Sequence, residues 1–404
     1  MTSILIANAP MQNMKVTAES VEKNSEIEFL CGYHTEDEVK HQRERILSAI
    51  FTSILTHEKI YIKPQTLKLL VNIIGVTDVS KLFDNKIFQV CFGLDDFVIK
   101  LEKDSSSLAP FQFEWSDMER FEKSTADIKG SNPKDISKLC QFIDNSSVKS
   151  DKKTSKIIQS EIITDITNPI LSTEFSLNSE SIDNVNPVDF YRLLRISDVA
   201  QGLVLQNKLG IDSIYQDGFS KQYLNTKLGA FSSISGNDSI QTFSNIMDLK
   251  GLPDLFKLYS KDIITIDDIL RCRNTFNGGV FRKWFASEDY DENQVIQALI
   301  NKTNTDKGLS KFVRFLYPNL AGIISPVLGA ASAAVDSYIV SKVIEGWSPS
   351  LFLDDVLKST VDDKVRIFES KKKREQFISR FGSVERNEKC PCQSGKKYKK
   401  CHGK

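Results

Sequence analysis

The carboxyl-terminal end of this 404-residue chain is the part whose fold is most tightly constrained. Cys390-Pro391-Cys392 and Cys401-His402, separated by a Gly- and Lys-rich stretch, bring three sulfurs and one imidazole within reach of a single ion. That is the ligand set of a closed, tetrahedral structural zinc site. So short a segment has no core of its own, and binding of Zn2+ must supply most of its folding free energy. Cys390 and Cys392, at alternate positions of an extended segment, point to the same side. Gln393-Ser394-Gly395 reads as a turn, with Gly395 free to take a positive φ. Lys396 to His402 is expected to form a short helical turn that returns Cys401 and His402 to the metal. Three thiolates around a dication leave a net negative charge, which Lys396, Lys397, Lys399 and Lys400 offset while lowering the thiol pKa values. The plainer alternatives are a disulfide or free thiols in an unfolded tail, but Cys-x-Cys spacing rarely suits a strain-free disulfide.

The string Cys-Pro-Cys-Gln-Ser-Gly-Lys-Lys-Tyr-Lys-Lys-Cys-His-Gly from Cys390 to Gly403 resembles the SEC-C motif, a zinc-binding family named for the C-terminus of the translocation motor SecA. Spacing, the Ser394-Gly395 turn and the terminal Cys-His-Gly all agree. The resemblance covers the tail alone, so it identifies a module and leaves the body open. It implies a non-catalytic, basic interaction platform for an acidic protein surface or for ribosomal and other RNA. The company such modules keep also implies a bacterial source. The alternative it suggests is a stress or phage-defence effector, an enzyme or a membrane-acting toxin, that the tail only targets.

Charge is unevenly distributed along the chain. From Lys364 to the end there are 14 basic and 4 acidic residues, a balance of +10. Since the whole chain is neutral, residues 1–363 carry −10. Such asymmetry points to an acidic partner, a nucleic acid or the protein's own acidic surface. Four of the seven cysteines lie outside the tail, at Cys31, Cys91, Cys140 and Cys272, too scattered for a disulfide framework. That scatter beside a thiolate site argues for a reducing, cytoplasmic location. The first residues lack the basic start and long apolar run of a signal peptide.

The expected fold is mainly α, with a small N-terminal α+β part and a multi-helix C-terminal domain ending in the zinc-binding module. Periodicity predicts a helix from Glu36 to Leu55, with Val39, Ile46, Ile50, Ile54 and Leu55 on one stripe. Lys59 to Ile62 reads as a strand stopped by Pro64. Leu67 to Ile74 reads as a helix closed by Gly75, and Val79 to Phe83 begins another. Ile87 to Phe92 and Phe97 to Leu101 resemble paired strands around a Gly93 turn. Helices are expected near 117–128, 133–144 and 155–166, with Asn132-Pro133 as a helix start. Asn186-Pro187 opens a long helix to about Leu209, stopped by Gly210, and from there to Gly382 the pattern is almost entirely helical. The expected division is an α+β region at 1–171, a polar linker at 172–186, a helical domain at 187–381 and the zinc module at 382–404.

Other candidates have plain structural explanations. Phe315 to Val335 holds 21 uncharged residues, the length of a membrane span. Pro318, Asn319 and Pro326 interrupt it and small residues dominate, so a packed internal hairpin is the expectation. Arg271, Arg273, Arg282 and Lys283 interleave with Phe276, Phe281, Trp284 and Phe285, a mixture that can hold single-stranded nucleic acid. At helical spacing the aromatic residues instead form a buried face, with the cations left in water. Gly278-Gly279 reads as a helix break. Cys31, His34 and His41, with Asp37 or Glu38, form a weaker metal-ligand set whose spacing equally suits surface ion pairs. Asp267-Asp268, Asp354-Asp355 and Asp362-Asp363 open helices, where they complement the helix dipole. No serine elbow, zincin or kinase signature is present, and the sequence of the body reveals no reaction.

Overall fold

Three runs rich in apolar residues, together with two three-residue segments later in the chain, build an all-parallel sheet. The computed structural model describes residues 2–8, 10, 28–30, 36–92, 96–102, 105–111, 118–126, 132–149, 152–175, 187–231, 239–287 and 347–402. We number the strands β1 (Ser3–Ile6), β2 (Glu28–Leu30), β3 (Lys59–Ile62), β4 (Phe88–Phe92), β5 (Asp96–Glu102), β6 (Ser105–Phe111), β7 (Ser147–Lys149) and β8 (Ser213–Tyr215). The parallel sheet has the order β7-β4-β3-β1-β8. Alternation along its strands divides two cores. Ile4, Ile6, Ile60, Ile62, Phe88, Val90 and Tyr215 face one, while Leu5, Ala7, Cys91, Tyr61 and Ile214 face the other. Burial of both faces is the reason these strands read as apolar runs, and it requires helices on both sides.

On the first face lie α1 (Glu36–Thr56), α2 (Pro64–Asp84), α3 (Met118–Ala126) and α4 (Pro133–Asn145). The second face is covered by α5 (Lys152–Thr167), α6 (Pro169–Glu174), α7 (Pro187–Leu209) and α8 (Gly218–Phe231). The chain then returns to the first core with α9 (Ser239–Leu249), α10 (Leu255–Tyr259), α11 (Ile266–Asn274) and α12 (Phe276–Ser287). A short helical turn (Ser350–Phe352) and a π-helical turn (Leu353–Lys358) lead into α13 (Ser359–Phe381). Thus the protein is mainly helical, with a small parallel sheet. Residues beyond 187 complete the sheet that residues 3–149 begin, because β8 pairs with β1.

Local signals explain several boundaries. Asn132 caps α4 by accepting from Lys134 N at 3.0 Å, with Pro133 at the first position. Within α2, Gly75 takes φ +83 and ψ 161, so two helical pieces meet at a kink there. Thr265 and Asp268 form a reciprocal capping box at the start of α11. The buried Asp268 also receives Lys364 Nζ from α13 at 2.8 Å.

Three expectations need correction. Ile87–Phe92 and Phe97–Leu101 do not pair with each other. β4 is apolar on both faces and enters the parallel sheet, whereas β5 pairs antiparallel with β2 and β6 in a second sheet. Phe281, Trp284 and Phe285 are buried as expected, but two of the neighbouring cations leave water with them. Arg273 donates to the carbonyls of Ile54, His57 (2.6 Å) and Glu58 (3.0 Å), and Arg282 donates to the Arg273 carbonyl at 2.9 Å. The Arg273 bonds occupy carbonyls at and just past the end of α1, and the Arg282 bond one near the end of α11. Gly278 and Gly279 lie in the first turn of α12 rather than breaking it. A Cβ on Gly278 would stand 2.6 Å from the Cys272 carbonyl oxygen, so the close junction of α11 and α12 requires glycine.

The segment Phe315–Val335 lies outside the described residues, as do Cys31 and His34. Among the described residues no helix is long and apolar enough to cross a membrane.

Candidate metal centre

The tail folds back on itself before any ion is considered. Lys389 and Lys397 form an antiparallel bridge, and the Cys390 amide donates to the Lys396 carbonyl at 2.8 Å. The loop between them turns through two left-handed residues, Gln393 at φ +64 and Gly395 at φ +69. Gly395 behaves as its composition predicts, while Gln393 adopts the same region at the steric cost of a side chain. A single 3-10 turn, Tyr398–Lys400, then directs Cys401 and His402 back toward the loop.

This path brings the four expected ligands together. One donor atom each from Cys390, Cys392, Cys401 and His402 lies within 4.8 Å of all the others. His402 Nδ1 is 3.3 Å from both Cys390 Sγ and Cys401 Sγ, and Cys392 Sγ is 3.5 Å from Cys401 Sγ. Around an ion with Zn–S of about 2.3 Å and Zn–N of about 2.0 Å, tetrahedral donors stand about 3.5–3.8 Å apart. The donor set and its spacing therefore fit a metal ion. Among the described residues this is the one His/Cys/Asp/Glu group that does so, and no disulfide is formed by the described cysteines. His41 of the weaker set is exposed on α1, with Glu44 at 3.9 Å.

The electrostatics differ from the expectation in one respect. Ser394, through its hydroxyl 3.2 Å from Cys392 Sγ and then through its amide, lowers the Cys392 thiol to about 6. Burial acts in the opposite direction on Cys390 and raises its thiol. The shifts come from these groups in contact, whereas Lys396, Lys397, Lys399 and Lys400 all point into solvent. Exposed lysines act through water and are weak determinants of a thiol several ångströms away.

The module also has a support that the sequence reading lacked. Phe377 of α13, Cys390 and Tyr398 form a small buried cluster of their own. The Phe377 ring stacks on Tyr398 at 5.3 Å and on the His402 imidazole at 4.7 Å between centroids. Gly382, at φ +75, ends α13 and lets the chain reverse. The available signal was Phe377 with Phe381 one turn on, an aromatic pair at helical spacing after the charged run Lys371–Glu375, whose rings lie 5.0 Å apart.

Comparison with known proteins matches this part of the chain and no other. The SEC-C motif family covers residues 386–404. The protein translocase subunit SecA of Solibacter usitatus is 48% identical over 61 residues, which cover 11% of this chain and 6% of that protein. SecA of Coxiella burnetii is 46% identical over 43 residues, covering 11% of this chain and 5% of that protein. The chain thus spans about a twentieth of the length of the curated relatives it matches. No solved structure matches. The tail carries a SEC-C motif.

Proposed function

We propose that Cys390, Cys392, Cys401 and His402 bind one zinc ion, and that the module so formed docks this cytoplasmic bacterial protein onto an acidic partner. The observation that carries the reading is the division of the tail into two sides. Four soft donors converge inward, while Lys396, Lys397, Lys399 and Lys400 are all exposed. With four protein donors, zinc holds the loop and leaves no position for water or substrate, so the module binds and does not catalyse. Lys371, Lys372, Lys373 and Arg374, exposed on α13, continue the basic surface toward the body. The partner is an acidic protein surface or RNA.

A second reading is an effector, in stress or phage defence, whose body acts where the tail delivers it. Its support is the parallel sheet covered on both faces, an architecture that places ligand sites at the carboxyl ends of its strands.

Metal analysis of the purified chain should give one zinc per molecule, lost in Cys401→Ser. Reversal of the four tail lysines to Glu should keep the zinc and reduce capture of the partner. Steep weakening of capture with salt identifies RNA, and a gentler slope an acidic protein. Equal capture by the lysine-reversed protein rules out docking through this surface.

A further inference from the structure

The three sulfurs of the tail do not stand in equivalent surroundings. Cys390 is 4% exposed, clustered with Phe377 and Tyr398, and its amide is bound to the Lys396 carbonyl. Cys392 and Cys401 are half-buried, on the side of the loop where Gln393, Ser394 and Gly395 are exposed. Their sulfurs lie 3.5 Å apart. The Ser394 hydroxyl stands beside both, 3.2 Å from Cys392 Sγ and 3.3 Å from Cys401 Sγ. One thiol therefore lies under an aromatic cover, and two share an edge with solvent.

This division matters for oxidation. Thiolates that meet water react with peroxides, whereas thiols sealed in apolar surroundings are inert. Elsewhere among the described residues, Cys91, Cys140 and Cys272 are buried, and burial raises each of their thiols. Geometry separates the possible pairs within the tail. A disulfide holds its sulfurs about 2.05 Å apart, so Cys392 and Cys401 need close by only about 1.5 Å. The loop between them turns through Gln393 and Gly395 and allows that approach. Cys390 and Cys392 have one residue between them, a spacing that strains a disulfide. Cys390 could meet Cys401 only by leaving its cluster, against the Lys389–Lys397 bridge and the bond from its own amide.

We propose that Cys392 and Cys401 are a peroxide-sensitive pair that closes to a disulfide, ejects the metal and switches the docking surface off, while Cys390 keeps its thiol. The inference rests on the zinc reading above. The thiolate of one sulfur attacks a peroxide oxygen: the S–O bond forms, the O–O bond breaks and hydroxide leaves. The second thiolate attacks the resulting sulfenic sulfur: the S–S bond forms, the S–O bond breaks and a second hydroxide leaves. The pair loses two electrons and the peroxide gains them, so no other oxidant is needed. Cys390 and His402 remain, too few donors for a closed four-coordinate site. Without the ion the loop loses most of its folding free energy, and the lysines around it lose their fixed arrangement. In a reducing compartment such a disulfide is transient and is reversed by cellular thiols.

The test treats the reduced, zinc-loaded full chain with a small molar excess of hydrogen peroxide, alkylates the free thiols and maps the tryptic fragments by mass spectrometry. Fragment Cys390–Lys396 should be joined to Cys401–Lys404, with the bridge on Cys392 and the alkyl group on Cys390. A metallochromic dye should record one zinc ion freed for each disulfide, and dithiothreitol with zinc should restore the starting state. Cys390→Ser should form the same bridge. Cys392→Ser should lose it, with no Cys390–Cys401 disulfide in its place. A bridge on Cys390 overturns the proposal, as does sulfinic acid without a disulfide or oxidation of the body cysteines before the tail. A disulfide that leaves the zinc bound overturns it equally. A chain that holds no zinc before peroxide is added refutes the metal reading instead, and the position of its disulfide still decides the pairing.

Discussion

His57 is sealed from solvent just past the end of α1, its Nδ1 2.8 Å from Thr56 Oγ1 and its Nε2 3.4 Å from the hydroxyls of Ser213 and Ser239. The sequence shows a lone histidine before a strand, because two of these partners lie 156 and 182 positions away. Burial first, and the nearby Arg273 guanidinium second, hold its pKa down to about 3 against an ordinary value of 6.5. The folded state therefore keeps the ring neutral across a range in which the unfolded chain binds a proton. Between those two values the unfolded state carries more protons, so stability rises with pH. This contribution is complete above about pH 6.5 and is lost as pH falls toward 3, at up to about 1.4 kcal/mol per pH unit. His57→Gln removes the titrating group and retains an amide for the hydroxyls. Urea midpoints measured between pH 7 and pH 5 should fall less steeply for the variant than for the parent. Parallel curves would show that the imidazole does not govern acid sensitivity in this window.

Elements with a local cause were legible and those with a distant one were not. The Asn132-Pro133 cap, the Gly75 kink, the Pro187 start and the Gly210 stop each depend on residues adjacent in sequence, and each is found where expected. β8 depends on a partner strand at the other end of the chain, and its own apolar content is only Ile214 and Tyr215. The candidate metal donors were legible because their spacing is local, whereas the platform beneath them belongs to α13. Phe377 is that platform, since its ring meets both the candidate donor His402 and Tyr398. Support of this kind fixes the orientation of a ligand, and its loss typically weakens metal affinity about 10–100-fold. Phe377→Ala should therefore retain one zinc per molecule at saturation but release it to a chelating dye at a concentration lower by that factor. The far-ultraviolet circular dichroism of the variant should match the parent, because Phe377 lies outside the two main cores. Zinc affinity equal to that of the parent would mean that the loop orients its own ligands.

At the scale of the molecule, the two ends of the chain have opposite standing. The start and the middle are interdependent: Ser3 N and Ser3 Oγ both donate to Asp212, at 2.7 and 2.8 Å, and β1 lies between β3 and β8. Helix α7 contributes Ile196, Val199, Ala200 and Leu205 to the core over Leu5, Ala7 and Cys91. Full burial of each large aliphatic side chain is worth roughly 1.5–3 kcal/mol, so loss of α7 and β8 removes an amount comparable to the whole stability of a domain. The periodicity of the sequence revealed the helices but not that those on either side of residues 172–186 share one sheet, because strand pairing has no signature in a single strand. The carboxyl end is different. Among the described residues Cys390 and Tyr398 pack with Phe377 and their immediate neighbours, in a cluster separate from both main cores. Two truncations distinguish these relations. A chain ending at Phe381 should unfold in urea as one cooperative transition at the parent's midpoint, since little but Phe377 is newly exposed. A chain ending at Phe175 should give no cooperative transition, because it lacks β8 and keeps only α5 and α6 of the four helices that cover the second face of the sheet. A sharp two-state transition from that shorter fragment would show that β1, β3, β4 and β7 stand without β8 and α7.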